Sequence, residues 1–264
     1  MTNSTTHTAS FDSTLNAARE VVYRYTAMAL FDPRVRLWGR LVDRQLQNAL
    51  GAACELIREE EGAAASELAL GELPLDHLDP SEMFARLPGS RDGLNAEYER
   101  TFGLLATSPN PPYETEYINE KLTFQRSHHL ADIAGFYHAF GLRVGGDRHE
   151  RPDHVALELE FMAFLIGLEC REAEGLEAVS REQSAICRGA QTKFLADHLA
   201  WWVPAFAKLL SKEHPDGFYA AVGKLLSSLV PAERNLLGVN ASTRAARPTS
   251  LERPEECDGC LLQV

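Results

Sequence analysis

The sequence predicts an all-α protein, on three observations. Apolar residues recur at helical spacing from about residue 12 to 229, and no segment alternates as a half-buried strand would. One stretch, 152–170, is apolar on nearly every side (Val155, Leu157, Leu159, Phe161, Met162, Phe164, Leu165, Ile166), which places it at the centre of a bundle. A chain of 264 residues, 45% of them hydrophobic, can bury one large helical core. The expected organisation is a flexible N-terminus over 1–11, one helical domain over 12–230 and a flexible tail over 231–264.

Each element has its own signal. Residues 34–61 carry Leu37, Leu41, Leu50 and Ile57, with Pro33 as a start and Gly62 as a stop. Residues 71–90, punctuated by Gly71, Pro74, Pro80, Pro88 and Gly89, read as a loop around one short helix. Leu94, Tyr98, Phe102 and Leu105 form the face of a helix over 91–105. Residues 107–115 hold three prolines and must be extended or turn-like. Leu130, Ile133, Ala134, Tyr137 and Phe140 mark a helix ending at Gly141. Pro152 opens the central helix, and helices over about 178–203 and 215–229 follow.

Charge and composition exclude several function classes. Lys and Arg total 26 against 38 Asp and Glu, a net charge of −12, which does not suit a nucleic-acid binder. No apolar run approaches the roughly 18 residues of a membrane span, so stable membrane insertion is not expected. The first residues lack a secretory pattern. Cys54, Cys170 and Cys187 sit in apolar helical patterns as inert thiols, consistent with a reducing cytoplasm.

Searches for chemistry return little. There is no glycine-rich phosphate loop, no Gly-x-Ser-x-Gly elbow and no His-Glu-x-x-His. None of the nine histidines has a Glu three residues before it, which removes the usual di-iron carboxylate pattern. His128–His129 with Asp132 is a weak metal candidate, because adjacent histidines on a helix diverge by about 100°. Cys257-Asp-Gly-Cys260 supplies two thiols where a zinc site needs four ligands, so an idle pair in the tail is expected. No catalytic residue, metal or cofactor is assigned. The concentrated local chemistry lies at 151–160, where Asp153 is placed in the first turn of the central helix and His154 one turn from Glu158.

Two segments together are recognisable. The first is Glu97-Tyr98-Glu99-Arg100-Thr101-Phe102-Gly103 followed by Pro111-Pro112-Tyr113-Glu114-Thr115. The second is Glu150-Arg151-Pro152-Asp153-His154 running into Leu157-Glu158-Leu159-Glu160-Phe161-Met162. With the helix 131–137 between them, their order resembles the TorD/DmsD/NarJ family of redox-enzyme maturation chaperones over roughly residues 15–230. The resemblance implies a non-enzymatic cytoplasmic chaperone, monomeric or homodimeric. Its partner would be the apo catalytic subunit of a molybdopterin-dependent oxidoreductase, often bound through a twin-arginine leader and held for cofactor insertion before export. The client-binding residues it implies are Tyr98, Phe102, Pro112, Tyr113, Glu114, Thr115, Asp153 and His154. A leader of paired arginines and an apolar stretch would seek carboxylates beside aromatic surface, which Glu114, Glu116 and Asp153 with Tyr98, Phe102 and Tyr113 could supply. Tyr98 and Phe102 fit plain core packing equally well, since both lie on an apolar helix face. The alternatives are a helical adaptor unrelated to molybdoenzymes and a weak GTP-binding assembly factor.

Overall fold

Helices build the molecule, as the periodicity predicts. The computed structural model describes residues 4–35, 37–61, 67–103, 110–118, 123–145, 150–173, 181–244 and 246–248. The helices are α1 (Ser4–Leu30), α2 (Trp38–Leu41), α3 (Arg44–Glu61), α4 (Ser81–Arg86) and α5 (Arg91–Phe102). They continue with α6 (Thr123–Ala139), α7 (Val155–Ala173), α8 (Arg181–Phe194), α9 (Ala200–Glu213) and α10 (Phe218–Leu237). Among the described residues the one β-type pairing is an isolated antiparallel bridge between Tyr113 and His154.

The expected central helix is α7, packed between α1 and α8, with Glu160 its one exposed position between 155 and 170. Phe161 reaches into an aromatic cluster with Tyr137 and Phe194, at ring-centroid distances of 4.9 and 4.8 Å. On the other side of the domain α10 packs on α9 and α4, and no residue from Phe218 to Arg234 is exposed. The bundle therefore has two core helices.

Several boundaries differ from expectation for identifiable reasons. α1 begins at Ser4 rather than near residue 12; no Gly or Pro interrupts its backbone ladder from there to Leu30. The expected 34–61 helix is divided at Asp43, whose carboxylate accepts the backbone N–H groups of Gln45 (2.8 Å) and Leu46 (3.2 Å) and so caps α3 as a new helix. The 178–203 helix widens into a π-helical turn at Leu195–Leu199 before continuing as α9.

The helix expected over 215–229 also ends later. α10 continues through Pro231 to Leu237. Pro231 cannot donate to the carbonyl of Ser227, and that carbonyl instead accepts the N–H of Leu73 at 2.9 Å. Arg234 is then buried against Glu72, with nitrogen–oxygen distances of 2.9 and 2.6 Å, which ties the 67–73 loop to α10. Gly71 in that loop adopts φ +96, and a Cβ there would stand 2.7 Å from the carbonyl oxygen of Pro204, so both backbone angle and space require glycine. Beyond α10 the chain folds back: Arg244 covers the Trp201 ring at 3.8 Å and Pro248 is buried. Cys257 and Cys260 lie outside the described residues.

Four helices are stitched by one buried polar network. The Arg19 guanidinium of α1 donates twice to Glu233 of α10 (2.8 and 2.7 Å), once to Asn16 (2.8 Å) and once to Gln191 of α8 (3.0 Å). Gln191 in turn donates to Glu169 of α7 at 2.9 Å.

Candidate functional site

The two recognisable segments meet at the start of α7. Stiffened by Pro111 and Pro112, the 110–118 strip runs antiparallel to residues 151–155. The N–H of Glu114 donates to the carbonyl of Asp153, and the N–H of Val155 to that of Pro112, each at 2.9 Å. Residues 151–154 close a turn, with the N–H of His154 donating to the carbonyl of Arg151 at 3.1 Å, and α7 starts after it at Val155 rather than at Pro152. His154 is its cap: Nδ1 accepts the N–H of Ala156 at 3.1 Å. Glu158, one turn on, does not pair with His154 but accepts the indole N–H of Trp202 at 3.2 Å.

Asp153 is fully buried and bonded within the chain. One oxygen accepts the backbone N–H (3.1 Å) and hydroxyl (2.8 Å) of Thr115 and a guanidinium N–H of Arg151 (2.7 Å). The other accepts a second Arg151 N–H at 3.0 Å. Arg151 also reaches Glu116 at 3.3 Å and stacks 4.5 Å above the half-buried Tyr113 ring, whose hydroxyl donates to Glu150 at 3.2 Å. Arg126 approaches Glu116 from α6 at 3.6 Å. Two of the three carboxylates expected to receive arginines from a partner, Asp153 and Glu116, are thus occupied by arginines of this chain.

Glu114 points the other way, into a buried pocket of imidazoles and indoles. It accepts the indole N–H of Trp201 at 2.8 Å, and its oxygens lie 3.0 Å from His198 Nδ1 and 3.5 Å from His129 Nδ1. Burial alone would raise its pKa, but the facing imidazoles of His129 and His198 and the Trp201 hydrogen bond outweigh that and hold it below the ordinary value. Glu158 next to it behaves oppositely: burial first, then the charges of Glu114 and Asp153, keep it protonated well above the ordinary range.

Of the eight residues singled out by sequence, six form this junction: Pro112, Tyr113, Glu114, Thr115, Asp153 and His154. Only Tyr113 among them is partly exposed; the rest are buried. Tyr98 and Phe102 are elsewhere. They pack in the core with Tyr219, at centroid distances of 5.9 and 4.9 Å, and Phe102 also faces Phe206. Both side chains are buried there. Sequence reasoning missed His129 and His198 as partners of Glu114, Trp201 and Trp202 as donors, and Arg151 as the clasp. The one available signal was His198-x-x-Trp201-Trp202, which sets an imidazole and an indole one helical turn apart.

The buried pair His154 and Glu158 gives a pH test. Burial, then Arg151, lower the pKa of His154 to about 3. Unfolded, it takes up a proton below its ordinary value near 6.5; folded, it does not, so its contribution is complete above that value and is lost as pH falls. Glu158, with its raised pKa, contributes below the ordinary carboxylate value and loses that contribution as pH rises. The two oppose each other across the interval between these values. His154→Gln should remove roughly 2–3 kcal/mol of acid sensitivity there, and Glu158→Gln should expose it. Urea unfolding in steps across that interval measures both; parallel profiles for wild type and His154→Gln would refute the assignment.

The geometry is that of a helical scaffold with a buried polar junction beneath the partly exposed Tyr113, Glu116 and Arg151. Residues 45–208 match the family described as nitrate reductase delta subunit, and the chain belongs to that family. It is 37% identical to a selenate reductase assembly chaperone protein of Thauera selenatis, over 42% of this chain and 54% of the relative. It is 33% identical to a chlorate reductase assembly chaperone protein of Ideonella dechloratans, over 56% of this chain and 72% of the relative. It is 28% identical to the chaperone protein TorD of a Vibrio cholerae strain, over 48% of this chain and 54% of the relative. The chain thus spans about half the length of the first and third of these relatives.

Proposed function

We propose that this protein is a non-catalytic, system-specific chaperone that binds the catalytic subunit of a molybdopterin-dependent oxidoreductase and assists its assembly in the cytoplasm. The observation that carries the reading is the family match over 45–208, joined by relatives named as assembly chaperones of selenate and chlorate reductases. Among the described residues no helix is long and apolar enough to cross a membrane, which fits a partner met before export.

The client face is the rim of the junction. Tyr113, Glu116 and Arg151 are partly exposed there, while Glu114, Thr115, Asp153 and His154 fix the strip beneath them. A strip already held by two backbone hydrogen bonds and two prolines loses little conformational freedom when a peptide docks on it. The arginines of a twin-arginine leader would displace Arg151 or Arg126 from Glu116.

Affinity capture from native cells, with the bound proteins identified by mass spectrometry, tests the reading. The expected result is a molybdenum oxidoreductase catalytic subunit, recovered with wild type and reduced at least tenfold with folded Tyr113→Ala or Arg151→Glu, equivalent to about 1.4 kcal/mol. Its consistent absence would remove the chaperone reading. Equal recovery with both variants would move the client face elsewhere.

A further inference from the structure

Glu114, His129 and His198 are far apart in sequence and arrive from three different elements. Glu114 comes from the 3-10 turn Glu114–Tyr117, His129 from α6 and His198 from the π-helical turn between α8 and α9. One carboxylate oxygen and one nitrogen of each imidazole all lie within 4.8 Å of one another. Oε1 of Glu114 is 3.5 Å from Nδ1 of His129 and 3.4 Å from Nδ1 of His198. Around a tetrahedral ion with bonds of about 2.0–2.1 Å, neighbouring ligand atoms stand roughly 3.3–3.5 Å apart.

We propose that Glu114, His129 and His198 form a three-ligand binding site for a divalent transition-metal ion, with zinc the ion best suited to the donors. Two imidazoles and one carboxylate are a donor set for zinc; a hard ion such as magnesium would require more oxygens. The surroundings are those of a metal site. Trp201 donates its indole N–H to Glu114 at 2.8 Å, fixing the carboxylate. The second nitrogen of His198, Nε2, is buried and makes no hydrogen bond, and an oxygen of Asp132 stands 3.3 Å away, near enough to take its N–H once Nδ1 is bound to an ion. His129 Nδ1 is buried and makes no hydrogen bond although it faces Glu114, as a nitrogen presented to an ion would. The π-helical turn adds a residue to the helix and so sets the position of His198, a distortion found often at functional sites.

A cavity of about 500 Å³, lined by Phe124, Gln125, His128, His129 and Arg244, opens beside His129 and offers a path toward it from solvent. This inference concerns a site below the client rim and does not depend on the chaperone reading.

The test uses the full chain carrying Cys257→Ser and Cys260→Ser, so that the tail thiols cannot bind metal. After chelator treatment and buffer exchange, it is titrated with zinc chloride by calorimetry. The expected result is one zinc per chain, with a thermal midpoint raised by saturating zinc. His128→Ala should bind equally well, His129→Ala at least tenfold more weakly, and Asp132→Asn detectably more weakly. Cobalt(II) should give the visible bands of a four-coordinate nitrogen–oxygen site without thiolate charge transfer, and His129→Ala should abolish them. Circular dichroism checks that His129→Ala is folded, and His129→Gln replaces it if it is not. Failure of the Ser/Ser chain to bind one zinc, or undiminished binding by the folded His129 variant, would overturn the proposal.

Discussion

Glu233→Ala should destabilise the protein by about 3–5 kcal/mol, because it leaves the Arg19 guanidinium charged, buried and without its counter-ion. Both side chains are essentially inaccessible, and the pair is bidentate at 2.8 and 2.7 Å. Burial opposes the charge on Arg19, and the attraction of Glu233 more than restores it, so the guanidinium stays ionised in the core. Water cannot replace the lost carboxylate, and Asn16 and Gln191 offer only neutral oxygens. For a domain of this size the loss corresponds to a fall in Tm of roughly 6–20 °C. Arg19→Met with Glu233→Leu should recover most of it, since an apolar pair of similar volume carries no desolvation cost. Thermal and urea unfolding of the single and double variants measures this. A single variant as stable as wild type would show that the network adds nothing, and a double variant as weak as the single would show that packing rather than charge was lost.

Asp153→Ala should cost about 3 kcal/mol, because three donors lose a charged acceptor at once: the Thr115 N–H, the Thr115 hydroxyl and Arg151. The two Thr115 donors are buried and cannot turn to water, whereas Arg151 is 41% exposed and can. The sequence alone offered two roles for this carboxylate, a helix cap or a receptor for a partner's arginine, and the structure shows neither as its bonding. His154 caps the helix, and the arginine is the chain's own. A double-mutant cycle with Arg151→Ala separates the possibilities. Coupling of about 1–2 kcal/mol in the free protein is expected if Asp153 clasps Arg151. Coupling near zero, with client affinity lost and stability kept, would return Asp153 to the role of a direct client receptor.

Local pattern made much of the fold legible. Spacing of three and four residues places α5, α6 and α7, because a helix in water must keep one face apolar to be held in the bundle. The all-round apolar run of 152–170 marks α7 as central because only a helix surrounded by others can be dry on every side. Pro111 and Pro112 keep helix out of the residues just before Glu114, where the 3-10 turn begins. Of the three thiols placed in apolar patterns, Cys54 and Cys187 are buried and Cys170 is half-buried; burial pushes the pKa of Cys54 up to about 12.

What stayed hidden depended on contacts between residues distant in the chain. Asp43 reads as one more polar residue inside a periodic stretch until its side chain is seen to cap α3. Pro231 reads as a helix stop, yet the helix passes through it because Leu73, brought in by tertiary packing, takes the carbonyl it frees. The polar site shows the same division. Spacing marked the Pro-Pro-Tyr strip and the Asp-His pair as unusual, and the family resemblance grouped them. Tyr98 and Phe102 could not be separated from the core, since an aromatic on an apolar helix face has the same spacing whether it meets Tyr219 or a partner. The sequence by itself determined the helices, the central position of α7 and the strip that crosses its start. Only the tertiary structure decided which way each polar side chain points: Asp153 to Arg151 and Thr115, Glu114 to His129, His198 and Trp201. A buried charge takes whichever partner the fold brings within about 3 Å, and sequence separation carries no information about that distance.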